Sequence, residues 1–241
     1  MTETTAAHLT VVLVHGAFAD SSSWGGVIER LQANGVDVVA AANPLRGISV
    51  DAPYVESLFR QIGGPVLAVG HSYGGAVISN AATGASNVVG LVFVAAFAPD
   101  EGERLGEVEA ASKDSVLGSA LVPHQYPTPD GTATEFTLDG ANARSAFAAD
   151  VSESQAMLIG AIQRPVSELA FTEPSGAPAW KTLPSWAIVP TSDRAAGTDV
   201  LRAHAERAGA HITEVDGSHV IMISQPQLVA DVIEAALAKV G

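Results

Sequence analysis

The 241-residue sequence contains no cysteine. Disulfide bonds, thiolate catalysis and cysteine-built zinc sites are therefore excluded, and the absence fits a cytoplasmic protein. Basic side chains are scarce too: 12 Lys and Arg stand against 26 Asp and Glu, a formal charge of −14. A chain this acidic repels phosphate backbones and anionic lipid surfaces, and no basic cluster offsets the effect. Neither a nucleic acid nor a membrane surface is an expected partner. No apolar run approaches the 18 or so residues of a membrane span. The opening stretch MTETTAAHLT lacks the basic and apolar segments of a secretory leader. What is present is a 47% hydrophobic composition. At this length that is enough for one α/β domain with a full core.

The first half alternates apolar runs with helical patterns. Leu9 to Val14, Val36 to Ala41, Pro65 to Gly70 and Val88 to Ala96 are nearly unbroken apolar stretches rich in Val and Leu. Strands that read this way are buried on both faces, in a parallel sheet covered by helices. The helical candidates between them are Trp24 to Ala33, Tyr54 to Ile62 and Gly74 to Ala82. The order predicts a doubly wound α/β domain. From Asp100 to about Lys181 the strand pattern lapses. A helix there has two possible capping boxes, Asp150 with Glu153 or Ser152 with Gln155, and ends at Pro165. This stretch reads as a small helical cap inserted into the frame. The core is then 1–99 with 182–241, and the cap 100–181, within a single domain. The frame resumes with Ser185 to Thr191, a helix near Asp199 to Ala208, and His211 to Gly217, giving about six strands. A last helix runs from about Gln225 to Lys239, with Ser224 and Gln227 as its capping box and Leu228, Val232, Ala235 and Ala236 as its apolar stripe.

One pentapeptide carries chemistry. Gly70-His71-Ser72-Tyr73-Gly74 matches G-x-S-x-G and sits between a strand and a helix, as that motif requires. The serine must occupy a sharp, strained turn, and the flanking glycines remove the side chains that would clash there. The helix behind it aims unpaired N–H groups at a developing oxyanion. A serine hydroxyl needs a base, and the base needs an orienting acid. After this motif the partners come in the order Ser, acid, His. Of seven histidines, His219 follows the last strand, ahead of the last helix, where it can reach over the sheet edge. Asp193, just past the preceding strand, is the best-placed acid. Asp199 sits where a helix cap is expected, and Asp216 lies on the wrong loop. The oxyanion hole takes one amide from Tyr73 and a second from the loop after the first strand, for which Ala17 is the candidate; His15 reads as a turn-bonding residue.

With these residues placed, the sequence resembles the α/β-hydrolases. HGAFADSSSW, GHSYGG, VFVAAFAPDEGE, SDR and GSH fall in that superfamily's order. More narrowly, AAFAPDEG and GSHVIMISQP resemble the small esterases that include plant methylesterases, hydroxynitrile lyases and bacterial relatives. The resemblance implies a Ser72–Asp193–His219 triad under a cap and an acyl-enzyme mechanism on a small-molecule ester. It implies no cofactor and no metal, and dimers are common in the group. The lyases carry threonine after the first-loop histidine and lysine after the last; here Gly16 and Val220 stand at those places. Lyase or acyltransferase chemistry on the same triad, and a non-catalytic binding protein, are the alternatives. Leu117, Leu121, Phe136, Phe147, Met157, Leu158, Ile162 and Phe171 are candidate pocket walls in the cap, and Trp24, Trp180 and Trp186 are packing residues.

Overall fold

The structure, a computed structural model, describes residues 8–140 and 142–241. Most of the opening stretch read for a leader lies outside them. In chain order the elements are β1 (Thr10–Val14), α1 (Gly25–Ala33), β2 (Asp37–Ala41), α2 (Ile48–Gln61), β3 (Val66–His71), α3 (Tyr73–Ala81), β4 (Val88–Val94) and α4 (Leu105–Ala110). Then come β5 (Leu121–Thr128), β6 (Gly131–Leu138), α5 (Ala143–Phe147), α6 (Glu153–Ile162), β7 (Val166–Ser167) and α7 (Leu169–Thr172). The chain finishes with β8 (Ser185–Pro190), α8 (Thr198–Arg207), β9 (His211–Val215), α9 (Ile221–Ser224) and α10 (Pro226–Val240).

Six strands form one parallel sheet in the order β2-β1-β3-β4-β8-β9. Val11 to Val14 and Val66 to Val69 have no exposed surface, because helices cover both faces. The chain leaves β1 toward one edge and returns through β3 toward the other. The crevice at such a reversal, outside the carboxyl ends of the strands, is where α/β sheets bind ligands. The register brings those ends level: Val14 pairs with Gly70, Gly70 with Phe93, Val94 with Ile188, and Pro190 with Val215. The loops after β1, β3, β4, β8 and β9 therefore open on one edge.

Three expectations need correction. Residues 100–181 hold more than helices: β5, β6 and β7 form an antiparallel sheet. The β5–β6 hairpin was masked by two prolines, Pro123 and Pro127, which an edge strand tolerates. Its residues are mostly half-buried or exposed, so no apolar alternation marks it. The second helix begins at Ile48 rather than Tyr54, with Pro53 inside it and Asp51 in its first turn. The last helix is capped by Gln225 without a side-chain bond, starts on Pro226, and buries Val229, Ala230, Ile233 and Ala236. Of the expected stripe Ala236 is buried, Leu228 and Val232 are partly buried against the core and Ala235 is exposed, and Ser224 is engaged elsewhere.

Candidate active site

The site grows from the turn between β3 and α3. Ser72 has φ 53° and ψ −123°, a strained conformation for a residue with a side chain. Backbone bonds over-determine it. Ser72 N donates to Val94 O at 3.3 Å, and Ser72 O accepts from Gly75 N at 3.0 Å and Phe97 N at 3.2 Å. The glycines are explained by approach distances. A Cβ on Gly70 would lie 2.5 Å from Gly74 O, and one on Gly74 would collide with Val14 O. On the facing loop, a Cβ on Gly16 would lie 2.7 Å from Ser72 Cβ. Among the described residues no hydrogen bond joins the Ser72 hydroxyl to His219, whose ring bonds Asp193. Bonds of this kind commonly tighten only around substrate.

His219 comes from the loop after β9 and Asp193 from the loop after β8. Their side chains meet: His219 Nδ1–H donates to Asp193 Oδ2 at 2.6 Å. The other carboxylate oxygen accepts from Ala195 N and Ala196 N, both at 2.9 Å. With Nδ1 carrying the proton, Nε2 holds a lone pair and can receive one. His71, the residue before Ser72, donates from Nε2 to His219 O at 3.0 Å, and the two rings lie 4.7 Å apart. Burial, together with the neighbouring His219, holds His71 well below the ordinary imidazole range. It therefore braces the loop as a neutral ring. Asp199, set aside as a cap, is the second residue of α8 behind Gly197, and receives Ser112 Oγ at 2.6 Å and Lys113 N at 2.9 Å.

The loop after β1 supplies the facing wall. Ala17 is buried, and its amide donates to no protein group among the described residues. Tyr73 opens α3, where an N–H lies outside the helix's own ladder. His15 Nδ1–H donates to Gly16 O at 3.0 Å, and burial lowers its pKa to about 4, so it is a neutral turn residue. The Tyr73 ring belongs to the core: its hydroxyl donates to Asp51 Oδ2 at 2.8 Å, and it presents almost nothing to solvent. Nothing in the sequence pairs Tyr73 with Asp51, because the partners lie on separate helices. Among the described residues, no group of three His, Asp or Glu is placed to hold a metal ion.

The sequence matches the model of the alpha/beta hydrolase family over residues 11–232. The chain belongs to that family. No curated protein matches the sequence. Among solved structures, this hydrolase is similar to polyneuridine aldehyde esterase at a TM-score of 0.80 and 20% identity, covering 95% of this chain and 99% of that one. It is similar to an Arabidopsis methylesterase, MES16, at 0.79 and 17%, covering 95% and 99%. A pyrethroid hydrolase from Sphingobium faniae matches at 0.75 and 18%, covering 94% and 96%. At these identities the likeness is one of fold.

In this hydrolase the site is roofed. Ser72 is 6% exposed and His219 1%. Phe147 from α5 packs edge-on to His219, with centroids 5.0 Å apart, and to Phe18 at 6.1 Å. Beyond these rings lies a cavity of about 320 Å³ lined by Leu158, Ile159, Ile162, Val220 and Met222, with a few polar groups from the β1 loop. A second cavity, of about 550 Å³, lies in the insertion between Leu121, Phe136, Phe171 and Glu109. Of the expected wall residues, Phe147, Leu158 and Ile162 line the first, and Leu121, Phe136 and Phe171 the second. Met157 is 69% exposed and Leu117 is buried in the core. Burial raises the Glu109 carboxyl to about 7, against the pull of the Ser115 hydroxyl and His219. Trp24, Trp180 and Trp186 are buried, and Trp180 Nε1–H donates to Pro99 O at 3.1 Å.

Proposed function

We propose that this hydrolase cleaves carboxylic esters of small apolar molecules by a serine acyl-enzyme mechanism. The observation that carries the reading is the His219–Asp193 bond, together with the strained turn that holds Ser72 at the start of α3. In the first half-reaction Ser72 Oγ attacks the ester carbonyl while His219 Nε2 takes its proton. Asp193 holds the tautomer and stabilises the imidazolium, and the Ala17 and Tyr73 amides hold the oxyanion. His219 then protonates the departing alcohol. Water, deprotonated by His219, releases the acid in the second half. The apolar cavity supports the substrate class. Phe18, next to Ala17, and Val220, next to His219, line it, while Ser72, Asp193 and His219 themselves do not. An alcohol leaving on the His219 side would enter it. Val220 places no cation beside His219, which weighs against cyanohydrin cleavage.

The test is an ester panel graded in alcohol and acyl size, run on wild type and Ser72→Ala. The expected outcome is turnover that rises with apolar bulk in the alcohol and falls by about 10³–10⁶ in the variant. Wild-type turnover in Ser72→Ala, or faster cyanohydrin cleavage than ester hydrolysis, would refute it.

A further inference from the structure

Asp150 lies in the insertion, between α5 and α6, and has been freed from the work its position advertised. The α6 capping box is complete without it: the Ser152 hydroxyl accepts from Gln155 N, and Gln155 Oε1 accepts from Ser152 N. The Asp150 carboxylate instead reaches across to the loop that carries His219. Oδ2 accepts from Ser218 N at 2.9 Å and from Ser224 Oγ at 2.7 Å, and Oδ1 accepts from Ser218 Oγ. Gly217 runs so close that a Cβ there would lie 3.0 Å from Oδ2. Burial raises this carboxyl's pKa, but the Ser218 hydroxyl and amide and the Ser224 hydroxyl together hold it below the usual range. It is an anion held by three neutral donors, with no cation paired to it among the described residues.

The segment it grips is short. Gly217 O accepts from Ser192 N at 3.1 Å, tying it to the Asp193 loop. His219 O accepts from His71, tying it to the elbow. Asp150 supplies the third tie, on the residue between them. It lies only three residues after Phe147, which packs on the His219 ring. One loop of the insertion thus covers His219 and fastens the backbone beneath it.

We propose that Asp150 is a positioning residue for His219, so that the base is set correctly only while the insertion is seated on the sheet edge. This rests on the reading of His219 as the base for Ser72. Three donors fix the Ser218 backbone, and a backbone shift there would carry the His219 ring away from both Asp193 and Ser72. Misplacement of about 1 Å in such a group commonly costs around 10²-fold in rate. Ground-state binding of an apolar ester uses other walls and is spared.

The experiment compares Asp150→Asn, Ser218→Ala and Ser224→Ala with wild type on a chromogenic short-chain ester, with active sites counted by fluorophosphonate titration. Asp150→Asn is expected to lower kcat per titrated site by about 10–100-fold, with KM within about twofold. The downfield Nδ1 proton of the His219–Asp193 bond should shift or broaden on proton NMR. Ser218→Ala and Ser224→Ala remove single hydroxyls and should give smaller losses of the same kind, which keeps the test available should Asp150→Asn fold poorly. A kcat per titrated site within about twofold of wild type in Asp150→Asn and Ser218→Ala, with the proton unmoved, would overturn the positioning role alone. Full turnover in Ser72→Ala, or no titration of wild type, would overturn it together with the triad.

Discussion

At Tyr73 one residue belongs to two environments. Its backbone is part of the elbow, while its hydroxyl is locked to the buried Asp51, whose carboxyl also accepts Arg46 N on both oxygens at 3.0 Å. Burial raises both the Asp51 carboxyl and, further, the Tyr73 phenol, so the pair is a structural donor and acceptor. Tyr73→Phe should therefore cost about 1–3 kcal/mol in denaturant unfolding and leave kcat almost unchanged. A large kcat loss with stability intact would place the hydroxyl in the reaction instead. Glu109 gives a pH prediction. With its carboxyl raised from 4.5 to about 7, chiefly by burial, the fold favours the neutral form. That contribution is full below the unfolded pKa and is lost as pH rises through about 7. Unfolding free energies of Glu109→Gln and wild type should diverge in favour of Gln as pH rises across that window, whereas a constant difference would contradict the assignment. His15 and His204 act in the opposite direction. Burial lowers both from 6.5 to about 4, so the stability they contribute is present above 6.5 and is lost as pH falls through 4. The strained turn at Ser72 and the pairing of His219 with Asp193 were legible in the sequence, because a motif fixes the first and chain order constrains the second. The roles of Asp51, His71 and Asp150 were not, since each acts through a partner far along the chain that no local pattern names.

Among the elements, β1, β3, β4 and β8 were readable to within a residue or two because burial on both faces leaves an apolar run, whereas the edge strands β2 and β9 are partly exposed and were placed by the alternation of elements around them. The β5–β6 hairpin left no such mark. Its one local signal is Pro129-Asp130-Gly131, a turn sequence, with Gly131 at φ 139° where a side chain would be strained. The start of α2 was hidden by Pro53, and the face of α10 by small apolar residues on adjoining positions, which leave the phase ambiguous. Ser224 looked like a cap residue and serves Asp150, a choice made by tertiary contact. The element that most constrains the site is the β1 loop, where Gly16 lies against Ser72 and His71 O. Gly16→Ala should displace the loop, and with it the Ala17 amide. The expected outcome is a fold retained by circular dichroism and a kcat lower by about 10²–10³. Unchanged turnover would remove this loop from the oxyanion site.

On the scale of the molecule, hydrogen bonds tie the insertion to the sheet edge. Residues 100–181 reach the site's loops at several points: Asp150 at the His219 loop, Ser115 Oγ on Ala195 O at 2.6 Å, and Arg164 on Asn43 O at 2.8 Å. Asn43 in turn donates to His15 O at 3.0 Å. None of these ties was legible in the sequence, because each joins segments distant along the chain. Phe147 lines the apolar cavity and packs on the His219 ring. Phe147→Leu should therefore raise kcat/KM for bulky-alcohol esters relative to ethyl esters, at a stability cost of about 1–2 kcal/mol. An unchanged ratio would mean that substrate enters elsewhere. The proposed ester hydrolysis requires Ser72 to be a reactive nucleophile. The direct measurement is intact-mass and peptide analysis after exposure to a fluorophosphonate. One adduct per chain, located on Ser72 and absent from Ser72→Ala, is the predicted result. A folded protein that takes up no label, or takes it at another residue, would contradict it.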